Sequence, residues 1–162
     1  MRIALDGSRR VEPLVKTPFN EQNAEISPGG RWLAYRSYRS GRQEVWVSPY
    51  PNTTGRWQVS TAGGQWPIWS RDGRELFYLA PDGALMGVQV KDAGSTWTAT
   101  SPTKILEPGY WSSNELIGRQ YDVWLDGKRF LVVTPPKDSG DPPELIVVQH
   151  WDEELKAKVP SK

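Results

Sequence analysis

The chain has 162 residues, enough for one domain or a little more, and its 20 Lys and Arg against 19 Asp and Glu leave a net charge of +1. With so even a balance and no long basic run there is no electrostatic footprint for nucleic acid, and no apolar stretch approaches the ~18 residues that would insert in a membrane. The absence of cysteine excludes disulfides and thiolate metal sites while suiting cytosol and periplasm equally, so the compartment is left open.

Fifteen Gly and 14 Pro are far too many for a helical protein and suit a chain of many tight turns. Nine Trp and six Tyr offset a mean hydropathy of −0.61, because each aromatic ring can bury a large area against a neighbouring sheet. In chain order, Met1 to Leu5 and Arg10 to Thr17 read as two strands joined at Asp6-Gly7; the start is too short and polar for a secretory signal. Asn23 to Ser27 predicts a short strand, followed by the turn Ser27-Pro28-Gly29-Gly30-Arg31 and a strand from Trp32 to Ser37. Arg36, Arg39 and Arg42 are expected on a solvated connector. Glu44 to Tyr50 and Arg56 to Thr61 alternate polar and apolar residues and give two further strands.

The same order then recurs. Gln65 to Ser70 leads into Arg71-Asp72-Gly73-Arg74, and Glu75 to Ala80 into the turn Pro81-Asp82-Gly83. Leu85 to Lys91 is the next strand, and Trp97 to Leu106 contains a fourth. Pro108 to Gly118 reads as an insertion. A third round gives Tyr121 to Leu125, the turn Asp126-Gly127-Lys128 and a strand from Arg129 to Thr134. A loose loop, Pro135 to Pro143, precedes a strand from Leu145 to Trp151. Asp152 to Lys158, acidic first and basic last, suits a short helix with Asp152 as its cap.

Aligned on their turn glycines, the rounds lie 43 residues apart (Gly30 to Gly73) and 54 apart (Gly73 to Gly127), the insertion accounting for the longer step. A period in the forties with a Gly-centred turn is the mark of a four-stranded propeller blade. The expected fold is therefore all-β: four-stranded antiparallel blades, about three per chain, or half of a six-bladed propeller. Residues 1–18 supply strands that end a blade, 19–61 one blade, 62–118 a second with an inserted loop, 119–151 a last blade without its outer strand, and 152–162 a helical tail. Gly30, Asp72, Gly73, Asp126 and Gly127 are read as structural turn residues. The ends are complementary, so two chains could close one ring with no exposed sheet edge.

These phrases carry a resemblance. Ser-Pro-Asp-Gly-Arg/Lys followed by an apolar run resembles the repeat of TolB-type, or WD-like, bacterial β-propellers. The run Tyr121-Asp122-Val123-Trp124-Leu125-Asp126-Gly127-Lys128-Arg129-Phe130-Leu131, with Leu145 to Val148, is similar to the last blade of propellers attached to bacterial serine/threonine kinases. The resemblance implies a ring of about six blades or more and, in the parent proteins, an extracytoplasmic setting. The chain departs from the pattern at Gly29, where the family has Asp, and at Trp124-Leu125, which replace Ser-Pro. The first and third turns are therefore expected to be less well fixed than the second.

Chemistry is harder to find. His150, the one histidine, sits in a predicted strand beside Trp151 and reads as structural. There is no Gly-x-Ser-x-Gly elbow, nucleotide-binding glycine fingerprint or kinase catalytic motif. Asp6, Asp72, Asp82 and Asp126 lack the regular spacing of a calcium loop and are expected in turns. No catalytic, cofactor or metal residue is assigned. Asn52-Thr53-Thr54 fits a glycosylation sequon that matters only in a secretory eukaryotic setting.

What the pattern offers is binding. In a propeller the loops entering the inner strands line the mouth of the central channel, and here they carry Glu21, Gln22, Glu25, Gln65, Trp66, Arg119 and Gln120. That mixture of aromatic, amide and charge suits a protein or peptide segment. The expectation is a non-enzymatic scaffold for protein interaction or ligand sensing, self-assembling as a homodimer. The alternatives are a hydrolase- or lactonase-type propeller with a channel-bound metal, for which only Glu21, Glu25 and Asn23 come near, and a purely structural propeller fragment.

Overall fold

The computed structural model describes residues 1–92, 96–109 and 118–132. The expected strand Leu145 to Trp151, the tail helix, His150, the Pro135–Pro143 loop and most of the insertion lie outside the described residues. Every strand pairing is antiparallel, and no helix occurs among the described residues.

A small hairpin comes first, β1 (Arg2–Ile3) with β2 (Val11–Glu12). Both strands are much shorter than expected, because Pro13 has no N–H to extend the ladder and residues 4–10 form a wide turn. The first sheet runs in sequence order through β3 (Glu21–Ile26), β4 (Trp32–Ser37), β5 (Glu44–Pro49) and β6 (Trp57–Gln58). β6 stops early: the Val59 N–H still bonds its facing residue, the Val45 carbonyl, at 2.8 Å, but the Ser60 hydroxyl takes the Val45 N–H at 2.8 Å and ends the ladder.

The second sheet repeats this order with β7 (Gln65–Trp69), β8 (Glu75–Leu79) and β9 (Leu85–Asp92). Its outer strand is in two pieces rather than one. β10 (Trp97–Ala99) pairs with the far end of β9 and β11 (Thr103–Leu106) with its start. Between them Thr100 keeps contact, its N–H donating to the Gln89 carbonyl at 3.0 Å. Last comes the pair β12 (Tyr121–Val123) and β13 (Phe130–Val132).

Two local devices recur at the repeat spacing. In β3 the register shifts between Gln22 and Glu25, so that two residues oppose one on β4; in β7 it shifts in the same way between Gln65 and Ile68. Asn23 (φ 53°) and Trp66 (φ 50°), 43 positions apart, carry the left-handed backbone of the two bulges. The turns recur as well. Gly30, Gly73 and Gly127 have φ of 68°, 72° and 69°, a region that a Cβ disfavours, and each donates its N–H three residues back at 2.8 to 3.0 Å. Asp72 accepts from the Arg74 N–H at 3.0 Å and the Ser70 hydroxyl at 2.7 Å, and Asp126 accepts from the Lys128 N–H at 2.9 Å. The third turn thus keeps its carboxylate brace; the first, with Gly29, has only Ser27, whose hydroxyl accepts from the Trp32 N–H at 3.1 Å.

The sheets pack face to face. Trp32, Ala34, Val45, Val47 and Val59 of the first meet Trp69, Leu76, Tyr78, Val88 and Trp97 of the second. Trp57 bridges this layer, edge-on to Trp32 with ring centres 5.6 Å apart and 6.1 Å from Trp97. Alternation along β8 sends Phe77 and Leu79 the other way, into a second layer with Trp66, Ile68, Leu85, Tyr121 and Val123. Phe77 there meets Phe130 edge-on at 4.9 Å. Burying each such side chain contributes about 2 kcal/mol, so the middle sheet, covered on both faces, anchors the molecule.

Candidate functional site

β3, β7 and β12 lie side by side. The Trp69 indole N–H donates to the Glu25 carbonyl at 3.2 Å, and the Tyr121 hydroxyl to the Trp66 carbonyl at 2.6 Å. Burial raises the Tyr121 hydroxyl far above its ordinary pKa, so this bond comes from a neutral phenol. The three strands bring their starting residues to one end of the molecule. Counting back eight from each turn glycine, Gln22, Gln65 and Arg119 occupy the same place in the three rounds.

The centre of that end is a residue that the sequence placed elsewhere. Arg36, expected on a solvated connector, lies within β4 and is only 7% exposed. Trp32, Ala34 and Arg36 alternate onto the face that meets the second sheet. The Arg36 Nη1 donates to Gln43 Oε1 at 2.9 Å and to Gln65 Oε1 at 3.3 Å, while Nη2 donates to Gln22 Oε1. Gln22 and Gln65 are thus drawn together by one guanidinium, from two different sheets. All three acceptors are neutral amides, and no carboxylate pairs with Arg36 among the described residues.

A second cation closes the same end. Arg119, just before β12, forms an ion pair with Glu25 of β3, 94 residues away in sequence. The other predicted residues are placed differently. Trp66 is 3% exposed and packs in the second core layer, so it supports the surface rather than presenting itself there. Gln120 is half-buried beside Arg119. Glu21 is on the opposite face of the sheet from Gln22; its Oε1 accepts from the Thr17 hydroxyl at 2.5 Å and its Oε2 is sealed without a hydrogen bond. Glu21 and Glu25 therefore serve separate partners, and no group of three or more acidic or histidine side chains that could hold a metal occurs among the described residues.

Beside this end, a buried carboxylate fixes the loop between the first two sheets. Glu44 has no exposed surface; both its oxygens accept from the Gly63 N–H at 3.1 Å, the Ser60 hydroxyl donates to Oε2, and Arg42 Nε lies 3.0 Å from Oε1. Gly63 is required here: its φ is 97°, and a Cβ would stand 2.4 Å from Pro81 Cγ. The remaining arginine of the trio, Arg39, lies over the Phe19 ring at 5.6 Å. A cleft of about 650 Å³ lies at the far end of the sheets, among the Gly-centred turns, lined by Arg31, Asp72, Arg74 and Glu75. Burial, and next the charge of Asp72, raises the Glu75 carboxyl above its usual range.

No family model and no curated protein matches the chain. Among solved structures, the chain is similar to a protein from Agrobacterium tumefaciens provisionally named TolB, with 17% sequence identity and a TM-score of 0.41. The match covers 56% of this chain and 36% of that one, so this chain spans well under half of its neighbour's length. No comparison supports the likeness to kinase-linked propellers.

Proposed function

We propose that the chain is a non-enzymatic β-propeller segment that binds a protein or peptide at the entry end of its first strands. The observation that supports this most is the repetition of one unit. Two sheets 43 residues apart, the first of four strands and the second with its fourth strand divided in two, share the same bulge, the same turn glycine and the same face-to-face packing around β3, β7 and β12. A blade is such a unit, and its entry end opens on the central channel. The polar groups gathered there, Gln22, Gln65, Arg36, Glu25 and Arg119, have the amide and charge character of a surface that grips polypeptide.

The ring in this reading forms from two chains, each N-terminal hairpin completing the last blade of the other. Both ends carry apolar surface suited to being covered: Ile3 and Leu5 are 58% and 95% exposed at one, Leu125 and Leu131 67% and 71% at the other. Light scattering coupled to size exclusion tests the assembly. Twice the 18.3 kDa chain mass is expected at micromolar concentration, and a single-chain mass at every concentration overturns the two-chain ring.

A further inference from the structure

We infer that the entry end holds a subsite for a carboxylate, and that its occupant is an acidic side chain of a bound polypeptide segment docking on Arg36. This rests on the reading of that end as a binding face and names the chemistry it selects. Burying a cation without a counter-ion is costly, and neutral carbonyl acceptors recover only part of what water supplied. Arg36 is buried to 7% exposure with three amide oxygens and no carboxylate on its guanidinium among the described residues. Its donors are also not used up. Nη1 spends both hydrogens on Gln43 and Gln65, and Nη2 one on Gln22, leaving the second Nη2 hydrogen and the Nε–H.

The Nε–H is not sealed: Nε makes no hydrogen bond among the described residues and is not one of the buried polar atoms that lack a partner. Nε–H and Nη2–H lie in one guanidinium plane, which suits the two oxygens of a planar carboxylate. A phosphate ordinarily draws several cations, and Arg119, the other cation at this end among the described residues, is already paired with Glu25. The site is specific to the first sheet. At the repeat-equivalent position, 43 residues on, the second sheet has Leu79, 2% exposed in the core.

The test is proton–nitrogen NMR of the full chain, following the Arg36 Nε–H resonance, which is assigned by its loss in Arg36→Lys. The probe is the peptide acetyl-Gly-Glu-Gly-amide, with acetyl-Gly-Gln-Gly-amide, acetate and inorganic phosphate as comparisons. A saturable downfield shift with the Glu peptide is expected, with the Gln peptide weaker by about tenfold or more. The Gln22→Glu variant supplies an internal counter-ion; it should melt no lower than the parent and lose the response to the Glu peptide. An equal response to the Gln peptide, a response to phosphate alone, or an undiminished response in Gln22→Glu overturns the carboxylate site. Acetate binding as tightly as the Glu peptide overturns the polypeptide source. Because the readout is a single side chain, a single-chain mass would remove the ring and leave this result standing, whereas a flat response in a two-chain assembly would remove only the subsite.

Discussion

The first and second sheets are built on one backbone plan and differ at its end. Each has a two-residue bulge in its first strand, a glycine of φ near 70° after it, and a buried tyrosine opposite the bulge, Tyr35 or Tyr78. One residue beyond that tyrosine the first sheet carries Arg36 and the second Leu79. The leucine closes a core layer; the guanidinium gathers glutamines from both sheets. The difference teaches that specialisation here is written in side chains, with the backbone held constant, so the two positions can be exchanged as an experiment.

The largest effect is expected from making the second sheet resemble the first. Leu79→Arg would bury a cation among Trp66, Phe77 and Tyr121, its facing amide Gln65 already held by Arg36, and should cost about 4 kcal/mol or more. A denaturant midpoint that barely moves would show that the amides around Arg36 are not what makes it tolerable. Removing the buried carboxylate in Glu44→Ala should cost about 3 kcal/mol, since it strands the Gly63 N–H and leaves Arg42 without its partner. Its signature in thermal melts should be loosening of the contact between the two sheets.

Acid and alkali separate the turns from the cores. Burial, and next the charge of Glu44, pushes the Tyr78 hydroxyl up to about 12, and burial raises Tyr121 further. The unfolded chain ionises its tyrosines near pH ~10. The folded chain therefore holds protons that the unfolded one has released: stability is intact below about pH 10 and falls as pH climbs toward 12. Asp72 and Asp126 have the opposite sense, held low first by the backbone N–H groups of Arg74 and Lys128. Their contribution is present above the ordinary aspartate range, near pH ~3.9, and is lost on acidification through their lowered values. Urea midpoints across pH should thus drop more steeply on the alkaline side, because the tyrosines are buried and the turn carboxylates are at the surface.

The smallest change is a gain. Gly29 has no positive φ and open space at its Cβ, so Gly29→Asp restores to the first turn the brace that Asp72 gives the second. A stabilisation of about 0.5 kcal/mol is expected, read as a small rise in Tm. No rise would mean that Ser27 already satisfies the turn.

Much of the frame was legible because apolar runs and turn glycines are local signals. β4 spans Trp32–Ser37 as its composition implies, and β7 and β8 each end one residue earlier than expected. The outer strands were read too long, since the length of an edge strand depends on what its neighbour offers. The Ser60 hydroxyl takes the Val45 N–H that would have continued the β5–β6 ladder, and the fourth strand of the second sheet divides along β9. The bulges had no signal, because Asn23 and Trp66 adopt left-handed backbone without being glycine. Trp66 was expected at a surface and is covered by Tyr121, a contact 55 residues away. Arg36 was missed for a different reason. Its place within a predicted strand, in phase with Trp32 and Ala34, marked it as inward-facing, but it was grouped with Arg39 and Arg42 by composition alone.

The tryptophans between the first two sheets have a practical consequence. Trp32, Trp57 and Trp97 form a chain of indoles with centres 5.6 and 6.1 Å apart, two rings nearly perpendicular and the next pair tilted by 46°. Transition dipoles that close and that skewed couple, so the folded chain should show a split circular dichroism band in the strong far-ultraviolet indole absorption. Trp57 belongs to the first sheet and Trp97 to the second, and sliding one sheet over the other would alter the coupling while the strands stayed intact. The molecule therefore carries its own optical gauge of how its sheets are seated, with no label needed to read it.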